Sequence, residues 1–455
     1  VTWNPGDPWP GTPGGTSSPW WGPRMRLYVH VSLAPGVSWR LGPGPSCRLD
    51  SGFVMGPLLN APTVPATPGL WVDLTCATVS VSADAKASRS DGAVARTDAS
   101  MVTVTLLDPD RRFDPMNPNS PWTLNGTSRL MPGVPVHVFA ESVDTATPPV
   151  VSTHHVFTGT ADSWNEPWTP NPNARRCKLV ASDPVKDLAN RDWGEQPAVG
   201  AGDTVNQRIT RILSYYNCTG PTSLDSSAVT LQSTTLAQSA WELLLRATDD
   251  EIGFTFFLSD GRLRFINRDS WSTPSAPAIV IGCPGATYDI VTAASVGNNA
   301  IDIRNSISAA RTGGTAQRAI SQASIDKFGV HGYGRTDLGL QSDAQAATWA
   351  TFTLSQRAFP RANVQTIDLA PALNPASWPK VLDLRRAVDT VRLLWTPPGS
   401  TDAYDVTGRV LGMSHEITRT RWEVAWDLGM ASVSRKTFHV GAHAFDKLND
   451  GNVMA

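Results

Sequence analysis

The sequence predicts a mainly β chain, with two barrel-like β units on either side of a small α/β insert and a Pro/Trp-rich arm in front. Three observations predict it. Gly and Pro number 36 each in 455 residues, and charged residues make up only 17%, a balance that favours short strands joined by tight turns over long helices. Side chains alternate with period two along most of the chain, as in half-buried strands. Helical stripes, by contrast, cluster between about residues 195 and 270 and recur once more before Pro360.

Residues 1–24 form the expected arm: the first 23 hold six Pro, five Gly and four Trp, with few positions able to enter a core. Residues 25–194 form the first β unit. Arg26–Ser32, Trp71–Cys76, Thr78–Ser82 and Met101–Leu106 alternate as strands, and Ala83–Ala99 is small and polar, a hairpin loop or exposed connection. Asp108–Pro118 is dense in turn residues around one buriable ring, Phe113. Leu130–Phe139 reads as a turn followed by a strand, and His155–Gly159 and Cys177–Ala181 are further strands.

Residues 195–275 form the α/β insert. Asp203 is placed to cap a helix burying Val205, Ile209, Ile212, Leu213 and Tyr216. Thr235-Leu-Ala-Gln238 has the form of a capping box opening a second helix with Trp241, Leu244 and Leu245 on its stripe. Phe254–Leu258 and Leu263–Ile266 flank a Ser-Asp-Gly turn, a hairpin signal. Residues 276–432 form the second β unit. It is interrupted by a helix opened by Ser342-Asp-Ala-Gln345 and ends in a hairpin of Val410–Ile417 with Trp422–Leu428, where Trp422, Val424, Trp426 and Leu428 share one face. Residues 433–455 read as a polar tail.

The totals exclude several function classes. Net charge is −2 with pI about 6.5, and Arg111-Arg112, Arg175-Arg176 and Arg385-Arg386 are isolated pairs, so no basic stripe offers itself to nucleic acid. Cys47, Cys76, Cys177, Cys218 and Cys283 are dispersed and odd in number, which reads as small buried hydrophobes in a reducing cytoplasm. No 18-residue apolar run crosses a membrane, and the Val-Thr-Trp-Asn-Pro start has no signal-peptide pattern.

Four places offer candidate chemistry. His439-Val-Gly-Ala-His443 with Asp446 has metal-like spacing, but Gly441 disfavours the helix it needs. His154 and His155 are adjacent in extended chain and face opposite ways, so they cannot chelate one ion. Asp249-Asp250-Glu251 could supply paired carboxylates for glycoside hydrolysis, but they read better as the exposed C-terminus of a helix. Asp108, Asp110 and Asp114 have the spacing of oxygen ligands for calcium, yet Pro and Arg between them favour a turn whose carboxylates accept N–H groups. The expectation is therefore no catalytic, cofactor-binding or metal-ligating residue, no cofactor and no enzyme.

The order of the patterns carries a resemblance. Val102–Trp122, with its Asp-Arg-Arg-Phe-Asp-Pro turn, is followed by Leu130-Met-Pro-Gly-Val-Pro-Val136, then Phe157-Thr-Gly159 with Trp164, then Cys177–Ala181 running into Asp183 and Leu188. This series resembles the first domain of minor tail proteins, the baseplate or tail-tip hubs of long-tailed bacteriophages infecting high-GC Gram-positive bacteria. The Gly253–Ile266 hairpin, Asn299–Ile303, Ser321–Gly329, the Ala344–Pro360 helix and the closing Trp422–Leu428 strand extend it over about residues 70–430.

The resemblance implies a structural virion protein at the distal end of the tail, made in the host cytoplasm. It implies a homotrimer whose two barrels per chain form a pseudo-six-fold ring that closes or extends the tail tube. Its implied partners are a distal tail ring protein, the tape-measure protein and other minor tail or receptor-binding proteins, with DNA met only in passage through the lumen. The surplus Trp, 17 in all, would serve intersubunit contacts. Residues 1–70 are longer and richer in Pro and Trp than the family pattern, and its C-terminal lysin or receptor-binding extension is missing. Two alternatives stay open: a tail-associated cell-wall hydrolase, and a carbohydrate-binding host-attachment protein that presents exposed Trp to sugars.

Overall fold

The computed structural model describes residues 25–33, 70–85, 87–89, 95–124, 126–143, 151–167, 171, 174–192, 194, 196–273, 276–282, 287–298, 303–360, 362–395, 404–418 and 420–429. The chain is mainly β, as predicted, at 45% strand and 23% helix. The arm, Cys47, Cys283 and the His439–Asp446 segment lie outside the described residues.

A sheet of 14 strands organises the molecule. Its neighbours run in the order Tyr288–Asp289, Ile279–Gly282, Thr390–Trp395, Tyr404–Thr418, Thr78–Ala85, Met101–Leu107, Arg176–Ser182, Val151–Asn165, Pro135–Val143, Met25–Leu33 and Leu70–Asp73. From Tyr404–Thr418 a branch continues through Trp422–Gly429 and Ala362–Leu369 to Val291–Asn298. Most ladders are antiparallel; Ile279–Gly282 pairs in parallel with both of its neighbours. Strands from the two ends of the sequence meet at one seam, where Ile417 faces Val81 and His415 faces Ala83.

The tight turns explain several sequence patterns. Gly133 adopts φ +84°, which a side chain disfavours, and its N–H donates to Ala161 O at 2.7 Å, pinning the turn that starts the Pro135–Val143 strand. Gly159 lies so close to the neighbouring strand that a Cβ would meet Ser182 O at 2.1 Å, a physical reason for glycine after Phe157-Thr158. Ala83–Ala99 is only partly a connection: Thr78–Ala85 runs three residues further as strand than expected, and Ala87–Arg89 pairs with Ala95–Thr97.

The sheet shares a single large core. Val81, Val104, Val136 and Leu179 from the first part join Ile281, Leu393, Ile367 and Trp426 from the second. A second core gathers Ile209, Trp241, Leu244 and Phe265 with Ile307, Leu338 and Trp349. The last three lie in the small sheet Ser306–Arg311, Gln317–Ile320, Gly332–Leu338 and in helix Asp343–Arg357, so segments far apart in sequence supply the helical layer together. A third, smaller cluster of Phe254, Phe256, Ile266, Ala387 and Leu411 bridges the hairpin to the sheet.

The helix starts need two corrections. Thr204, not Asp203, caps Val205–Tyr215, in a capping box closed by Gln207. Asp203 is drawn aside by two guanidiniums, Arg208 Nε at 3.2 Å and Arg211 Nε at 2.8 Å. The second helix is Ala240–Glu251, capped by Ser239 Oγ, which accepts from Glu242 N at 3.3 Å; Thr235 instead lies in the strand Thr234–Leu236. The cap at Ser342 is as predicted, its Oγ accepting from Gln345 N at 3.3 Å. Cys177 is buried and its thiol is pushed up to about 12 by that burial, whereas Cys76 and Cys218 are only half-buried. No described helix is long and apolar enough to cross a membrane.

Candidate functional site

Asp249, Asp250 and Glu251 end the helix Ala240–Glu251, where Ile252 turns into the left-handed region (φ 61°) and Gly253 N donates to Thr248 O. Contrary to the expected exposed terminus, all three carboxylates are buried, at 2–3% exposure. Arg335 of the small sheet, Gly339 after it and Trp349 of the helix Asp343–Arg357 cover Asp249 and Asp250, whereas Glu251 lies near Ser227 and Arg268. Asp249 Oδ2 lies 3.4 Å from Arg335 Nη1, and Trp349 Nε1 donates to Asp249 O at 3.1 Å. Asp250 Oδ1 accepts from Gly339 N at 3.0 Å, and a Cβ on Gly339 would meet Asp250 Oδ2 at 2.6 Å. Desolvation pushes both Asp250 and Glu251 up to about 7. A glycosidic bond needs room between its two carboxylates, and this triplet has instead been closed over as the clamp of one layer on another.

The adjacent histidines do face opposite ways. His154 Nδ1 sits 2.6 Å from Asp383 Oδ1, while its Nε2 lies 2.8 Å from Ser142 Oγ. His155 Nδ1 lies 2.7 Å from His137 Nε2, with the two rings stacked at 4.9 Å. Sequence reasoning missed the layer this belongs to: His30 is paired in register with His137, and both rings pack on Phe139 at 4.8 Å. The signal was present as Val29-His-Val31 and Val136-His-Val138, two strands burying valines on one face and histidine on the other. Burial alone holds His30 down at about 4, and burial with neighbouring histidine charge holds His137 at about 3.

The aspartate-rich turn is built from N–H acceptors. Asp108 accepts from Arg112 N at 2.6 Å and Phe113 N at 2.8 Å, and Asp114 accepts from Met116 N at 2.9 Å and pairs with Arg111. Those bonds fold the turn around Phe113, which is buried against Trp122.

A junction of three chain regions was not foreseen. A cavity of about 20 Å³ is lined by Ser100, Thr158 and Asp183 from one part, Phe257 from the hairpin, and Arg386 and His415 from the other end of the chain. Arg386 is buried there, donates from Nη2 to Phe257 O at 3.0 Å, and covers the Phe256 ring at 5.4 Å. Burial brings its guanidinium down to about 10, opposed by the charge of Asp183. Arg409 works similarly, donating to Ala387 O, Val388 O, Ser270 O and Thr273 O. Chemically these groups fasten elements together.

Eight of the 17 tryptophans are core residues among the described part of the chain. Trp71, Trp122, Trp164, Trp241, Trp349, Trp378, Trp422 and Trp426 are all buried within the chain itself, so the expectation that the surplus serves intersubunit contacts fails for them.

No family model matches the sequence, and no curated protein matches it. Solved structures do. A tail protein from Neisseria meningitidis MC58 is 10% identical, with 78% of this chain and 92% of that one covered at a TM-score of 0.48. A prophage tail protein, gp18, from Listeria monocytogenes EGD-e is 10% identical over 80% of this chain and 92% of that one, with a TM-score of 0.45. The 43 kDa tail protein of prophage MuSo2 from Shewanella oneidensis is 10% identical over 78% of this chain and 94% of that one, with a TM-score of 0.50. The large antiparallel sheet with its helical layer is thus a fold of the phage-tail type.

Proposed function

We propose that this chain is a structural, non-catalytic component of a phage tail tip, a homotrimeric baseplate hub that joins the tail tube to the distal tail and host-adhesion proteins. The observation that carries the reading is the likeness in fold to a prophage tail protein, over 78% of this chain and 94% of that one. The chemistry of the interior agrees with it. Among the described residues, Asp249 and Asp250 are closed over by Trp349 and Gly339, and the buried arginines donate to carbonyl oxygens.

Under this reading the host is a high-GC Gram-positive bacterium and the protein sits at the distal end of the virion tail. Its partners are a distal tail ring protein, the tape-measure protein and receptor-binding components. Three copies repeat an interface in which one patch meets a different patch on the next subunit. The sequence ranges 25–194 and 276–432 are the proposed barrel units of that ring, with 195–275 as the α/β insert between them. Multi-angle light scattering of the purified chain, with imaging of the tail tip, tests it: a trimer is expected, and a stable monomer at micromolar concentration overturns the hub.

A further inference from the structure

The short strand Thr234–Leu236 pairs with Gln196–Val199 on one edge only among the described residues. Beside it lies a cleft of about 470 Å³. Gln232, Ser233, Thr234 and Thr235 all line it. Thr234 and Thr235 are consecutive residues of the strand and point to opposite faces, so a cleft that meets both meets the strand at its backbone edge. Thr312 and Gly339 line it too, and both are tied to Gln232. Gln232 N donates to Gly339 O at 2.7 Å, and Gln232 Nε2 donates to Thr312 O at 3.1 Å.

Arg246 is the only charged residue in the lining. Its neighbours in the helical layer are paired: Arg208 and Arg211 with Asp203, Arg264 with Asp225, Arg311 with Asp343. Arg246 has no ion pair or hydrogen bond among the described residues, although Asp250 and Asp337 lie within electrostatic range. No aromatic ring lines the cleft, so a sugar finds no face to stack on. A strand edge without a partner among the described residues, a polar lining and one cation without a direct ion pair together fit an extended, acidic occupant.

We propose that this cleft is a docking groove for an extended acidic peptide segment of a partner protein, which adds a third strand beside Thr234–Leu236 and places a carboxylate on Arg246. Main-chain hydrogen bonds would supply the affinity and the ion pair the selectivity. The proposal rests on the reading of the chain as an assembly component.

The test uses the full chain and fluorescein-labelled short peptides at low ionic strength, read by fluorescence anisotropy. A peptide alternating Glu and Val should bind saturably; one alternating Lys and Val should not. Arg246→Glu should weaken the acidic peptide about tenfold or more, Arg246→Lys much less, and N-methylation of alternate peptide bonds should abolish binding. Circular dichroism and an unchanged Tm establish that each variant is folded. Absence of saturable binding, equal affinity for Arg246→Glu, or displacement of the peptide by a stronger-binding oligogalacturonate overturns the groove. Light scattering separates the two claims: a trimer without peptide binding removes only the groove, and a monomer that binds the peptide removes only the hub.

Discussion

Arg386 shows how individual residues stabilise this interior. Burying an unpaired charge is costly, and the chain meets that cost with a carbonyl, an aromatic face and the field of Asp183. The titratable groups split into two opposing sets. His30, His137 and His415 are held at about 4, 3 and 4 by burial, so between there and 6.5 the unfolded chain binds protons that the fold refuses. Their contribution is therefore full above pH 6.5 and is lost as pH falls towards 4. Asp250 and Glu251 run the other way, since each is held up at about 7. Their contribution is full below the ordinary carboxylate range and is lost as pH rises through 7. Around Asp250 the charges are Arg335, Arg246 and Asp249, and its one backbone donor is Gly339 N. Asp250→Asn keeps an acceptor for that N–H and removes the ionisation. It should raise stability by about 4 kcal/mol at pH 8 and by a smaller amount, about 1–2 kcal/mol, at pH 5. Urea denaturation at the two pH values checks this, and an equal effect at both would refute the burial argument.

At the scale of elements, caps and registers decide how the layers start. Ser239 caps Ala240–Glu251 whereas Thr235, the residue with the better sequence signature, is in a strand. Ser239→Ala should cost about 1 kcal/mol, and Thr235→Ala should stay within about 0.5 kcal/mol, both read from urea midpoints. The contrast marks what was legible. Strands with one buried face, such as Trp422–Gly429, and the hairpin Phe254–Phe257 with Leu263–Ile266, were legible because alternation and an Asp-Gly turn are local signals. The burial of Asp249 and Asp250 was not, because the groups that cover them, Arg335, Gly339 and Trp349, lie 86 to 100 residues away. The His30–His137–His155 layer was hidden for the same reason: register across three strands, not neighbours in sequence, brings those rings together.

At the scale of the whole molecule, one seam decides whether the two ends of the chain behave as one body. Thr78–Ala85 hydrogen-bonds to Met101–Leu107 on one side and to Tyr404–Thr418 on the other, so each part supplies the strand that covers the other's edge. An uncovered edge of this length would be a template for aggregation. Val81 is fully buried at the seam, opposite both Val104 and Ile417, within a core that continues through Trp164 in one part and Trp426 in the other. Val81→Ala should therefore cost about 2–3 kcal/mol, and the loss should be felt equally at both ends. Hydrogen–deuterium exchange in increasing urea gives the measurement: the amides of Arg176–Ser182 and of Trp422–Gly429 should lose protection at one midpoint, and Val81→Ala should lower both midpoints together. Should the substitution lower the first midpoint and leave the second unmoved, the two strand sets are independent bodies in contact, and the seam is an interface between them instead of part of a shared core.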